Sequence, residues 1–367
     1  MPDCHTGVGA TVGSVFASKT HVSPYAVGSD IGCGMVAVPV KGLRRHELTL
    51  ESKRAIHGEI QRRIPTGFTS HARPLPQTYH IMKSMKEDAS SYLRGQINDT
   101  TTLQLGGGNH FIELLYSADD EQVWLMLHSG SRRIGKETCD HYDKLAGQQM
   151  RHKGLSVSDN LRYLDIDSAE GRDYLKDMTW CLAYAQQNRQ LMMDILCDVV
   201  TSVTKCMPDL SRRINIHHNY CVQEQCRFVD PVTQKERTEK LWVTRKGATS
   251  AKAGEYGIIP GSMGTGSFIV RGRGSSESWQ SCSHGAGRQM SRTQAVKSIS
   301  QQEFEKSLEG VVCDTAPALR DEAPQAYKDL STVMRNQATL IDVEHRLLPL
   351  INVKGFDERG AQRRRRR

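Results

Sequence analysis

The chain has 367 residues, 38% hydrophobic and 25% charged, with a formal net charge of +8, so it can bury a large core in one or two domains. The positive balance suits a polyanionic partner such as RNA or DNA as readily as a solvated basic surface. The sequence has no apolar run near the ~20 residues that span a bilayer, no secretory pattern at its start and no CxxC pair among its ten cysteines, which argues against a membrane protein, a zinc ribbon and a disulfide scaffold.

Residues 1–40 carry Gly7, Gly9, Gly13, Gly28, Gly32 and Gly34 among short apolar runs such as MVAVPV, which read as strands joined by tight loops. From Leu43 to Ile64 apolar residues recur at helical intervals among many charges, and Pro65 and Gly67 close that helix. Residues 101–135, TTLQLGGGNHFIELLYS and then EQVWLMLHSGSRRIG, read as strand, glycine loop and strand. The long helix SAEGRDYLKDMTWCLAYAQQNRQLMMDILCDVVTSV follows, its Met, Leu, Ile and Val stripe reading as core packing rather than a cofactor box. After INIHHNY come the strand-like VQEQCRFV and KLWVTRKGA, then the glycine-rich GEYGIIPGSMGTGSFIVRGRGSS. Helix returns at APQAYKDLSTVMRNQ, the apolar LLPLINVKG follows, and the like-charge run Arg363–Arg367 is expected to be disordered.

Five segments set a metal-capable side chain among glycines: SDIGCGM, GGGNHF, LHSGSR, IHHNY and SHGAGR. Their candidates are Asp30, Cys33, His110, His128, His217 or His218, and His284. Each alone reads as an ordinary structural residue; together a carboxylate, a thiolate and imidazoles suit a borderline divalent cation such as zinc, cobalt, iron or manganese. The Cys33 sulfur could bridge two cations, an arrangement used in phosphoryl chemistry. A closed structural zinc site is the alternative, disfavoured because the candidates are spread along the chain.

GSRRIGKE, Gly130–Glu137, nearly fits the phosphate loop of nucleotide hydrolases, but Glu137 stands where the magnesium-holding hydroxyl belongs. Arg132 and Arg133 read better as contacts to phosphate or a nucleic-acid backbone. PGSMGTGSF, Pro260–Phe268, offers backbone amides and the hydroxyls of Ser262, Thr265 and Ser267 to a phosphate or base. Beside it, His284 could attack phosphorus and hold a nucleotidyl group. Such a histidine needs an orienting acid, for which Asp3 and Glu113 are candidates, and a cation nearby, which Arg288 or metal ions could supply.

The segments MPDCHTGVGATVGS, GSDIGCGM, LGGGNHFIEL, HSGSRRIG, HHNY, IIPGSMGTGSFIVRG and SHGAGRQMSR resemble, in order from about Met1 to Gly355, the signature segments of the RtcB family of RNA-splicing ligases. The resemblance implies a single α+β (mixed α/β) domain over residues 1–355, with a helical excursion at about 165–205 and an Arg-rich tail at 356–367. Glycine-rich loops would converge on a dinuclear centre. It implies joining of RNA 2′,3′-cyclic phosphate or 3′-phosphate ends to 5′-hydroxyl ends with GTP and two Mn2+ ions, in tRNA splicing or RNA repair.

Carried over by position, the resemblance implies Asp30, Cys33, His110, His128 and His218 as metal ligands, with Cys33 bridging. His218 is preferred to His217 because it directly precedes Asn219. His284 would be guanylylated, with Asp3 orienting its ring. Nucleotide contacts would come from Asn109, His110, Phe111, Ile112, Glu113, His218, Asn219, Pro260, Gly261, Ser262, Met263, Ser267, His284, Gly285, Ala286, Gly287 and Lys354. A cytoplasmic monomer is implied, without contact to a membrane. Family members usually carry a stretch upstream of MPD and tend to stop at VKG, which implies a shortened sheet or a divergent member, and an open path for the residues after Lys354. Beside ligation stand a metal-dependent phosphoesterase or end-capping nucleotidyltransferase, and an inactive RNA-binding homologue. The first would not need His284 and the guanine loop for hydrolysis alone, and the last would need neither Cys33 nor His284.

Overall fold

The computed structural model describes residues 1–67, 85, 87–97, 109–156 and 160–355. The glycine run Gly106–Gly108, the strand read before it and the Arg-rich tail lie outside the described residues. In chain order the strands are β1 (Ser14–Ser18), β2 (His21–Val22), β3 (Gly34–Arg44), β4 (Phe111–Ser117), β5 (Gln122–Ser129), β6 (Leu164–Asp165), β7 (Ile214–His217), β8 (Asn219–Val229), β9 (Glu236–Lys246), β10 (Ala248–Ser250), β11 (Tyr256–Pro260), β12 (Ser267–Gly272), β13 (Ser281–Ser283), β14 (Val312–Cys313) and β15 (Ile341–Lys354).

The main sheet runs β11-β12-β15-β4-β5-β3-β7, antiparallel throughout, with β14 added parallel to β15. Its two end strands approach each other, so the sheet is nearly closed. Strand alternation explains why both faces are dry. Val36, Val38 and Val40 of β3 point to one face, where they meet Ile112, Leu114, Leu125, Leu127, Ile351 and Val353. Met35 and Ala37 point to the other, against Phe111, Trp124, Met126, Ile258 and Leu347. The fold is therefore mixed α and β around a sheet buried on two sides, as expected from the sequence.

The helix Ala169–Thr204 matches the predicted excursion; Ser168 caps it by accepting from the Gly171 amide at 3.0 Å. Met192, Met193, Leu196, Val199 and Val200 seat it on the first face, a 3.6-residue stripe meeting a two-residue one. Among the described residues no helix is long and apolar enough to cross a membrane.

Three predicted elements differ. The helix expected from Leu43 begins only at Leu50 and runs to Arg63, capped by Thr49, because the alternating VPVKGLR run stays in β3 and buries Leu43 in the core. The strand expected over EQVWLMLHSGSRRIG ends at Ser129, and a helix spans Arg132–His152. Gly135 lies inside that helix as a close-packing residue: a Cβ there would stand 1.9 Å from Ser131 Oγ. The helix expected at APQAYKDLSTVMRNQ shrinks to Leu330–Arg335, because Pro324 breaks the segment into a 3-10 turn and Asp329 caps what remains. Short helices at Arg292–Ser298 and Gln301–Ser307 had no anticipated counterpart.

Candidate active site

Register gathers distant residues at one end of the main sheet. His128 of β5 pairs with Met35 of β3 and Phe111 of β4, while Gly34 pairs with His217 of β7. Cys33, His110 and His218 flank those paired positions. Gly34 is required by closeness: a Cβ there would meet Ile216 O at 1.9 Å. The Cys33 sulfur consequently lies 3.1 Å from His128 Nε2 and 3.3 Å from His110 Nε2. His128 Nε2 is 3.2 Å from His218 Nε2, and His110 Nε2 is 3.0 Å from Asp30 Oδ2.

These contacts form two triads that share one sulfur, Cys33–His128–His218 and Asp30–Cys33–His110, each with its donor atoms within 4.8 Å of one another. The donor set fits borderline divalent cations. Burial, reinforced by neighbouring imidazoles, pushes the His128 and His218 rings well below the usual histidine range, keeping their lone pairs available. His128 Nδ1 donates to the Asn109 carbonyl at 3.1 Å, leaving Nε2 as the acceptor toward the cluster. Burial and the nearby Asp30 push the Cys33 thiol well up, and a cation bound at the sulfur would favour its thiolate.

Behind the cluster, the fully buried Arg189 of the long helix donates to Gly32 O at 2.8 Å and Ser129 O at 2.9 Å. It also reaches Asn215 Oδ1 at 3.0 Å and His217 Nδ1 at 3.1 Å. One guanidinium thus ties β3, β5 and β7 together, and it turns His217 away from the cluster.

A second pairing places His284. Ala248 of β10 donates to His218 O at 3.2 Å and pairs with Ser283 of β13, so the rings of His218 and His284 meet edge to face with centroids 4.9 Å apart. Asp3 Oδ2, fully buried, accepts from His284 Nδ1 at 2.6 Å and from the His284 amide at 3.1 Å. With the Nδ1 proton held there, the Nε2 lone pair is free to act. Burial raises the Asp3 carboxyl, but the His284 contacts outweigh it and hold the group below its ordinary value. Of the two acids considered as orienters, Asp3 is the one in contact with His284; Glu113 lies elsewhere.

His284 opens on a cavity whose walls include Pro260, Gly261, Ser262, Met263, Gly285, Ala286 and Gly287. Its floor is the end of the β4–β15 ladder, where Phe111 pairs with Lys354 and Glu113 with Asn352. Glu113 Oε1 accepts from Asn352 Nδ2 at 2.6 Å. Burial pushes Glu113 up to about 7, against that hydrogen bond and the Lys354 charge. Beside the floor, buried Glu322 accepts from Lys354 at 2.6 Å, Arg292 at 2.6 Å, Tyr327 at 2.7 Å and Arg288 at 3.2 Å. Burial works to raise Glu322, yet Lys354, Arg292 and Arg288 hold it down to about 2.

The family model described as tRNA-splicing ligase RtcB matches residues 1–355. The chain belongs to the RtcB family. It is 37% identical to the RNA-splicing ligase RtcB of Escherichia coli K12, across 97% of this chain and 89% of that protein. It is 30% identical to the tRNA-splicing ligase RtcB of Methanococcus maripaludis, covering 91% and 82%, and 29% identical to the RNA-splicing ligase RtcB of Mycobacterium tuberculosis, covering 97% and 96%.

Of the nucleotide contacts implied by RtcB resemblance, Asn109, Phe111, Glu113, Pro260, Gly261, Ser262, Met263, Ser267, His284, Gly285, Ala286, Gly287 and Lys354 line the cavity. His110, Ile112, His218 and Asn219 do not. Ile112 alternates into the core, and the Asn219 amide is engaged with Asp30 O at 3.1 Å and the Gly247 amide at 2.9 Å. The Thr265 hydroxyl closes its own turn, accepting from the Ser262 amide at 2.7 Å, and so does not face the cavity. Arg132 is turned inward, donating to His110 Nδ1 at 2.8 Å, and so is not presented as the phosphate contact expected, whereas Arg133 pairs with Glu137 and stays largely exposed. Arg288, also expected at phosphate, is committed to Glu322, Tyr327 and two main-chain carbonyls. Five lining residues were missed: His5, Arg292, Glu322, Tyr327 and Asn352. Asn352 had a usable signal, because it stands two residues before Lys354 and strand alternation puts both on one face.

Proposed function

We propose that the chain is a GTP- and manganese-dependent RNA ligase that seals 2′,3′-cyclic phosphate or 3′-phosphate ends to 5′-hydroxyl ends, in tRNA splicing or RNA repair. The observation carrying this reading is His284: its Nδ1 is fixed by buried Asp3, its ring abuts His218, and it opens on the cavity. Asp30, Cys33 and His110 would hold one cation and Cys33, His128 and His218 the second. Bound manganese would supply neutralisation of charge on the phosphate oxygens.

The residues then act in sequence. Water opens the cyclic phosphate to a 3′-phosphate. His284 Nε2 attacks the α-phosphorus of GTP; a P–N bond forms, the P–O bond to pyrophosphate breaks, and Asp3 stabilises the cationic ring through the Nδ1–H. A 3′-phosphate oxygen takes GMP from His284, breaking the P–N bond and giving an RNA(3′)pp(5′)G end. The 5′-hydroxyl attacks the RNA phosphorus, loses its proton, and GMP departs. Phe111, Glu113, Lys354 and the Gly285–Gly287 backbone would hold the guanine nucleotide in place throughout. The ten cysteines are all free, which fits the reducing cytoplasm.

Incubation with α-labelled GTP and manganese is expected to leave acid-labile label on the protein, and His284→Ala to abolish it. Label that survives in His284→Ala, or ligation that proceeds equally with ATP and without manganese, would overturn the reading.

A further inference from the structure

The β4–β15 floor contains a buried polar side chain that is only half used. Asn352 is 1% exposed in a run of apolar residues, LLPLINVKG. Its neighbours Ile351 and Val353 alternate into the core, whereas Asn352 and Lys354 share the cavity face with Glu113 and Phe111 of the paired strand. The Asn352 amide nitrogen is used, donating to Glu113 Oε1 at 2.6 Å, but its Oδ1 is buried without a hydrogen-bond partner among the described residues. Leaving a buried acceptor unpaired is costly, so a strand that keeps one beside a cavity is poised for a ligand donor.

The chemistry of that donor follows from the row of groups. Glu113 and Asn352 stand directly opposite in register and offer adjacent acceptors, while Lys354 brings a cation to the next position. A ligand edge matching this row carries two neighbouring N–H groups followed by a carbonyl. Among purines, guanine has that edge: 2-amino, N1–H and O6. Adenine has an amino group and an acceptor ring nitrogen instead, and hypoxanthine lacks the 2-amino group.

We propose that Asn352 is a specificity-determining residue whose Oδ1 accepts a hydrogen bond from the 2-amino group of the purine, beside Glu113. The proposal rests on the guanine-nucleotide reading above and names the residue that separates guanine from hypoxanthine within it. It assigns Asn352 no part in bond making.

The test compares formation of the protein–nucleotide adduct from GTP and from ITP, which differ only in the 2-amino group, using the full chain with manganese. Wild type is expected to use GTP about tenfold better than ITP in kcat/KM, the worth of one buried hydrogen bond. In the near-isosteric Asn352→Leu, and independently in Asn352→Ala, GTP use should fall about tenfold further than ITP use, so the preference disappears. Equal use of GTP and ITP by wild type overturns the proposal without any variant. A parallel loss of both nucleotides in the variants also overturns it, because it marks a structural role. Absence of an adduct with either nucleotide in wild type sinks the guanylylation reading itself, which separates that failure from failure of Asn352 alone.

Discussion

Glu322→Gln removes one negative charge and almost no volume from beneath three cations. Glu322 is 2% exposed, and its carboxyl is held at about 2 against an ordinary 4.5. At about 1.4 kcal/mol per tenfold change in an ionisation constant, that displacement favours the charged form by about 3 kcal/mol. Lys354, Arg292 and Arg288 would be left around a neutral amide, a loss of the size seen when one partner of a buried ion pair is deleted. Because the folded-state value is depressed, the stabilisation is complete above pH 4.5 and is lost as pH falls toward 2. Denaturant unfolding of the two proteins should therefore differ by about 3 kcal/mol at pH 7 and by about 2 kcal/mol near pH 3.5. Equal stabilities at pH 7, or a difference that does not narrow on acidification, would refute the claim that this carboxylate is stabilised by its charge.

Two further outcomes are expected. Asp3→Asn keeps the shape but not the carboxylate that holds His284 Nδ1–H, so adduct formation from GTP should slow on the order of 10²–10⁴-fold with little change in nucleotide affinity, as read by single-turnover labelling. Arg189→Met removes the guanidinium that donates to the Gly32 and Ser129 carbonyls and to Asn215 Oδ1, and should destabilise the fold by about 1–3 kcal/mol, measured by denaturant titration; no measurable loss would show that the strand tie is dispensable.

The parts legible in the sequence were those written in a single period. The long helix showed itself through its core stripe, and β3 through its apolar run, although its last residues were mistaken for helix because Leu43 fits both patterns. Cys33 and His284 stood out beside glycine, His110 and His128 two residues from one, and His218 beside a second histidine. What stayed hidden was set by pairing across the chain. Glu322 in RDEAPQ reads as solvated acid, and only the fold surrounds it with Arg288, Arg292 and Lys354. Arg132 looked free to bind phosphate because nothing in GSRRIG reveals that the helix start turns it onto His110. Gly135 fell within the segment read as strand because its packing partner, Ser131, becomes visible only when the segment coils.

One carboxylate oxygen of Asp3 receives both the main-chain amide and the ring nitrogen of His284. The imidazole is thereby anchored at its backbone and at its far side, so it behaves as a fixed post rather than a swinging arm. Whatever becomes joined to Nε2 is held at one point in space, and in the proposed reaction the travelling is left to the 3′-phosphate end of the RNA, which must come to that post to collect it.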